Sequence, residues 1–231
     1  LRTVRQARFG AHLGEAVRYV RGQQAVMVLI SVVAVSAFLS MPYSTLMPVF
    51  ASKVLNVSAQ PVVDLVCEDL GPAFGGSCQS PDALTYGLLM AAIGLGAVVG
   101  ALFVASLPER ARRGGWLTMG NLAFPALVVA LALSRSFVLS LVVLVGIGVS
   151  YITQNTLANT MIQLIVPDEL RGRVMSFYSL TLQMMMRLGG MQAGLLGDSW
   201  GAPLSVGLGG VICLLYGGFV AARFPRVRRM A

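Results

Sequence analysis

Few side chains in this chain are equipped for chemistry, and those that are lie mostly in apolar surroundings. Asn155, Asn159 and Gln163 fall four residues apart, so a helix sets all three on one face, with Thr156 and Thr160 on an adjacent line. An amide without a partner in an apolar medium is costly, so this face must meet another helix or a polar passage. Two readings stay open for Asn155 and Asn159: interhelical hydrogen bonds at ~0.6–2 kcal/mol a pair, or one wall of a substrate pathway. Gln163, near the end of its stretch, is expected to be structural.

Arg187 is the only charge well inside an apolar stretch. Counted from Met175 it lies ~18–20 Å along a helix, beyond the midplane of a bilayer. A charge there costs ~2.5 kcal/mol or more and normally faces a protein interior or an aqueous cavity. It would receive an anionic group or pair with a carboxylate from elsewhere, since no Asp or Glu lies deep in any apolar stretch. Snorkelling to the outer interface is the competing reading.

The elements that must position these residues are six apolar stretches, at 24–50, 84–107, 116–134, 137–165, 175–197 and 203–222. Each is about 18 residues or longer, as ~30 Å of hydrocarbon requires of a helix. The expected fold is therefore all-α, with six transmembrane helices forming a bundle over 24–222, a segment 1–23 before it and a basic tail, 223–231, after it. Hydrophobic residues make up 56% of the chain and charged residues 11%, whereas a water-soluble domain carries about a quarter charged. The solvent for the excess apolar surface is a lipid bilayer.

Charge sets the orientation. If residues 1–23 are cytosolic, so are 108–115, 166–174 and the tail, and these hold fourteen of the arginines. The opposite side holds Lys53 and Arg135, a strong positive-inside bias with both termini cytosolic. The net charge of +8 sits at the ends of spans and forms no aromatic-interleaved groove, which argues against nucleic acid. Enzyme chemistry finds no support: His12, the sole histidine, lies outside the spans, and there is no HExxH, GxSxG or GxxxxGK[ST]. No metal or cofactor is expected.

Residues 51–83 read as one long external loop bearing Asp64, Glu68, Asp69 and Asp82. An outward location is oxidising, so Cys67 and Cys78 are expected to form a disulfide, constraining the loop by about 3 kcal/mol. Cys213 reads as a small buried hydrophobe. Pro42 and Pro48 are expected to kink the first span. Ala92, Gly96 and Gly100 form a small-residue stripe, and Gly207, Gly209, Gly210, Gly217 and Gly218 mark the last span for close packing. Leu13, Ala16, Val17 and Val20 recur at helical spacing beside Arg18 and Arg21, the pattern of an amphipathic helix on the inner leaflet or of a solvated linker. The chain opens on Leu1, and this opening looks like an internal segment of a longer polypeptide.

The residues PDELRGRVMSFYSL (167–180), MPYSTLMPVFA (41–51), YGLLMAAIGLGAVVGA (86–101), QNTLANTMIQLIVPDELRGRVMS (154–176) and AGLLGDSWGAP (193–203) resemble the major facilitator superfamily. The resemblance is to its branch of enterobactin exporters and macrolide efflux proteins, and runs in order through the chain. It implies the C-terminal six-helix half of a twelve-helix transporter in a bacterial inner membrane, with residues 1–22 as the linker between halves. It further implies a proton-coupled antiporter exporting a small amphiphilic molecule such as a drug, macrolide or siderophore, with the proton site in the other half. On that reading Asn155, Asn159, Arg187, Tyr43 and Gln183 border the pathway. Asp168, Arg171 and Arg173 belong to a cytosolic gating loop, or else to a solvated turn before a helix start. The sequence departs from the branch in its long 58–82 loop, in the degenerate SLPERARRGG (106–115) and in Arg187 itself. A six-helix scaffold or sensor subunit that transports nothing is the alternative, and a homodimeric half-transporter is a third reading.

Overall fold

The computed structural model describes residues 14–69, 81–108 and 113–225, and no strand occurs among them. A short helix, α1 (14–22), precedes α2, which runs from Gln24 to Val54. Then follow α3 (Asn56–Asp69), α4 (Pro81–Ser106), α5 (Arg113–Leu133), α6 (Phe137–Ile165), α7 (Asp168–Trp200) and α8 (Ala202–Arg223). Among the described residues five helices are long and apolar enough to cross a membrane: α2, α4, α5, α6 and α8. The sixth expected stretch, 175–197, lies within α7. Gln183, Arg187 and Gln192 make that helix more polar than its companions.

The first span is irregular where its prolines fall. Regular turns over Gln24–Val35 widen at Ser36–Ser40 and tighten to three residues per turn at Met41–Ser44. A short regular piece, Met47–Val49, gives way to a second wide stretch at Phe50–Val54. Pro42 and Pro48 each lack an N–H, and wide or tight turns are how a helix absorbs the missing bond.

The 51–83 stretch is not a single loop. Most of its first half is α3, with Pro61 inside the helix. Its acidic residues read as loop, yet Leu55, Ala59 and Val63, spaced by four, are all buried. The Ser58 hydroxyl accepts the Phe137 N–H at 3.1 Å, satisfying a donor left free at the start of α6. Cys67, on α3, is disulfide-bonded. Its expected partner Cys78 lies outside the described residues, as do His12 and most of the charged part of 106–115.

Helix α1 packs its apolar face on the bundle and leaves Arg18 exposed. Ala16 and Val20 are buried in a cluster with Leu29, Ile162, Val166 and Val174. Glu15 pairs with Arg173 at the start of α7. That ion pair is exposed and contributes ~1 kcal/mol or less, so apolar packing is what holds α1 to the bundle. A second cluster, around Phe50, Phe124, Phe137 and Leu144, fills the other end.

Small residues set the closest helix contacts. A methyl group on Gly100 would stand 2.8 Å from the Val149 carbonyl oxygen, and one on Gly96 would overlap the Val145 backbone. Gly148 faces back against Ile93 and Ala97. These three close the seam between α4 and α6, as the Gly96–Gly100 spacing predicts. On α8, Gly209 lies against the Leu39 carbonyl and Gly210 against Pro125 and Val129. Helix α7 packs on α8 and on the irregular middle of α2, where Gly189 meets Phe38 and Pro42, but touches α6 only lightly.

Candidate functional site

The polar residues of α6 work on two sides of the helix. On one side Asn155 accepts a hydrogen bond from the Tyr178 hydroxyl at 2.8 Å, through Oδ1, and its amide donates to the Tyr151 hydroxyl at 3.2 Å. Tyr178 belongs to α7, so this is a polar bridge between two helices that otherwise hardly pack. Aromatic contacts carry the line further. Tyr151 lies 5.5 Å from the Phe124 ring, and Tyr43 of α2 meets Phe124 edge-on at 6.4 Å. Tyr43 is thus buried in the core, linked to Asn155 through the rings of Phe124 and Tyr151.

On the other side Gln154 is 2% exposed. Its amide nitrogen donates to Ser36 Oγ at 3.0 Å and to Asn121 Oδ1 at 3.3 Å. Ser36 Oγ in turn lies 3.6 Å from Cys213 Sγ. Four helices, α2, α5, α6 and α8, meet at this point, beside the first wide turn of α2. Gln154 Oε1 and Ser40 Oγ are buried without hydrogen-bond partners among the described residues. Gln154 and Asn121 are not among the expected site residues, although Asn155 and Asn159, on the same helix as Gln154, are. The available signal was that any amide within an apolar span needs a partner.

The remaining expected site residues are spread along the bundle. Gln163 donates to Asn159 Oδ1 at 2.5 Å, one helical turn apart, and is itself exposed. Arg171 pairs with Asp168 at 2.5 Å and donates to the Gln163 carbonyl at 3.1 Å, tying the start of α7 to the end of α6. Arg173 is engaged by Glu15, whose place in the chain carries no motif that marks it as a partner. Gln183 and Arg187 are exposed on α7, one turn apart. They lie away from the face on which Tyr178, Gly189 and Ala193 are buried. Asn155 and Tyr43 are joined only through Tyr151 and Phe124, Asn159 and Gln163 pair locally, and Arg187 with Gln183 stands apart.

The transmembrane secretion effector family, of the major facilitator type, matches residues 70–231. The chain belongs to that family and is a multi-pass membrane protein. Of the motifs that carry the resemblance, YGLLMAAIGLGAVVGA, VPDELRGRVMS and AGLLGDSWGAP fall inside the match, while MPYSTLMPVFA on α2 precedes it. No curated protein and no solved structure matches the chain.

Proposed function

We propose that this chain is the C-terminal six-helix half of a proton-coupled efflux transporter, with α7 as the sixth span and the arginine-rich ends of the helices in the bacterial cytosol. It moves a small amphiphilic molecule, such as a drug, macrolide or siderophore, by alternating access. Asn155, Asn159, Arg187 and Gln183 border the pathway, with Tyr43 behind them. Asp168, Arg171 and Arg173 close its cytosolic side, and the proton site lies in the other half. One observation carries this reading: α6 and α7 scarcely pack, yet a hydrogen bond from Tyr178 to Asn155 joins them. A polar contact between loosely packed helices can open and re-form at little cost, which suits local gating within this half as the two halves rock. Binding then rests on broad apolar contact with a few oriented polar groups.

The same tyrosine–asparagine contacts would serve a scaffold that transports nothing, and export assays separate the two. Cells making the full-length protein are loaded with a panel of macrolides, cationic dyes and a catecholate siderophore, and accumulation is followed beside membrane abundance. For the exported compound, Asn155→Ala is expected to cut efflux about tenfold, the equivalent of ~1.4 kcal/mol, at unchanged abundance. A scaffold would show no efflux of any compound in the parent protein, and lower abundance in the variant.

A further inference from the structure

From the placement of Arg187 we infer that the transported molecule is an anionic amphiphile, whose acidic head is received by the Arg187 guanidinium and whose apolar body lies along the methionines beside it. The inference rests on the transporter reading above and narrows its substrate class. Arg187 is the twentieth residue of the 33-residue α7, far from either end. It has no ion pair among the described residues, where the salt bridges are Arg171–Asp168 and Arg173–Glu15. The face that α7 turns to its own bundle carries Val174, Tyr178, Gly189 and Ala193. Arg187 stands on the far side of the helix, and no carboxylate among the described residues pairs with it.

A mid-span guanidinium cannot be left in hydrocarbon, and it therefore opens onto a space between this bundle and what faces it. Its neighbours there are Met184, Leu188 and Met191, all exposed, with the Gln183 amide one turn away. Methionine side chains are flexible and polarisable and adapt to apolar bodies of varied shape. A guanidinium holds a carboxylate, sulfate or phosphate in a two-pronged fit. One fixed cation in a soft apolar strip selects charge at one end of a ligand and is tolerant of the rest. A cationic amphiphile would be repelled at the same spot.

The test uses the full-length protein in lipid nanodiscs and three probes with the same twelve-carbon chain: laurate, dodecanol and dodecyltrimethylammonium. Laurate is expected to bind more tightly than the other two. Arg187→Gln should weaken laurate about tenfold or more, the scale of a lost charge-assisted contact, and Arg187→Lys should restore most of it. Dodecanol affinity should not change in either variant. Equal laurate affinity in parent and Arg187→Gln overturns the inference, as does a parent protein that binds the cation as well as the anion. So does a parent that binds no laurate while Arg187→Gln lowers its melting temperature, the mark of Arg187 held by a carboxylate on the facing unit. If any of these is found while cells still export a compound of the panel, the substrate class alone is wrong; if no compound is exported, the transporter reading fails with it.

Discussion

Replacing Gly148 with valine is expected to strip the folded protein from the membrane. A methyl group at this position would already stand 2.8 Å from the Ala97 nitrogen and 3.0 Å from the Gly96 carbonyl carbon, and would overlap the Ile93 carbonyl oxygen. All three are backbone, so no side chain can turn aside to make room. The helices must separate, and α4 has α6 as its main partner in the bundle. In lipid, helix association rests on van der Waals packing and polar contacts, both of which fall quickly with separation. Overpacking in a tight core costs ~1–3 kcal/mol or more, against a total stability of roughly 5–15 kcal/mol. Gly94→Val supplies the control, because nothing lies within 4 Å of a methyl group there. Membrane abundance and melting temperature of the two variants, measured side by side, check the prediction. Equal values would mean that the α4–α6 seam is looser than described.

The second large effect is expected at Gln154. Leucine in its place removes the donor that reaches both Ser36 and Asn121, which strands Asn121 Oδ1 and leaves Ser36 Oγ with the weak Cys213 contact alone. Each stranded group costs ~1–3 kcal/mol, and the loss of the already unpartnered Gln154 Oε1 gives a little back. A net destabilisation of about 2 kcal/mol follows, within the range for polar contacts between membrane helices. Asn121→Leu should be damaging alone, and the double variant should cost less than the sum, because one broken contact is then counted twice. Thermal unfolding of the four proteins in nanodiscs measures the coupling. Strict additivity would show that the two amides do not communicate.

Much of the architecture was legible because membrane crossing imposes a plain rule: length and apolarity together. Five of the six stretches read from composition are helices of the expected kind. The sixth is also helical, but one arginine and two glutamines in its middle make it a different object. Glycine spacing on α4 announced the close seam with α6, since small residues at intervals of four have few other uses in lipid. What escaped were features set by tertiary partners. Helix α3 hid behind Asp64 and Glu68, whose charge faces outward while Ala59 and Val63 dock inward. The apolar side of α1 was visible, but whether lipid, solvent or protein would cover it was not. Of the polar residues on α6, Asn155 was singled out and does meet another helix, through Tyr178. Gln154, one residue away and 100° around the helix, was missed, because its partners Ser36 and Asn121 come from distant parts of the chain.

Flux through the purified protein tests the central claim most directly. The full-length protein is reconstituted in liposomes, a proton gradient is imposed, and movement of the exported compound is followed with and without a protonophore. Secondary active transport predicts accumulation against a concentration gradient that collapses when the protonophore is added. A folded, correctly inserted protein that moves no compound of the panel, with or without the gradient, would contradict it.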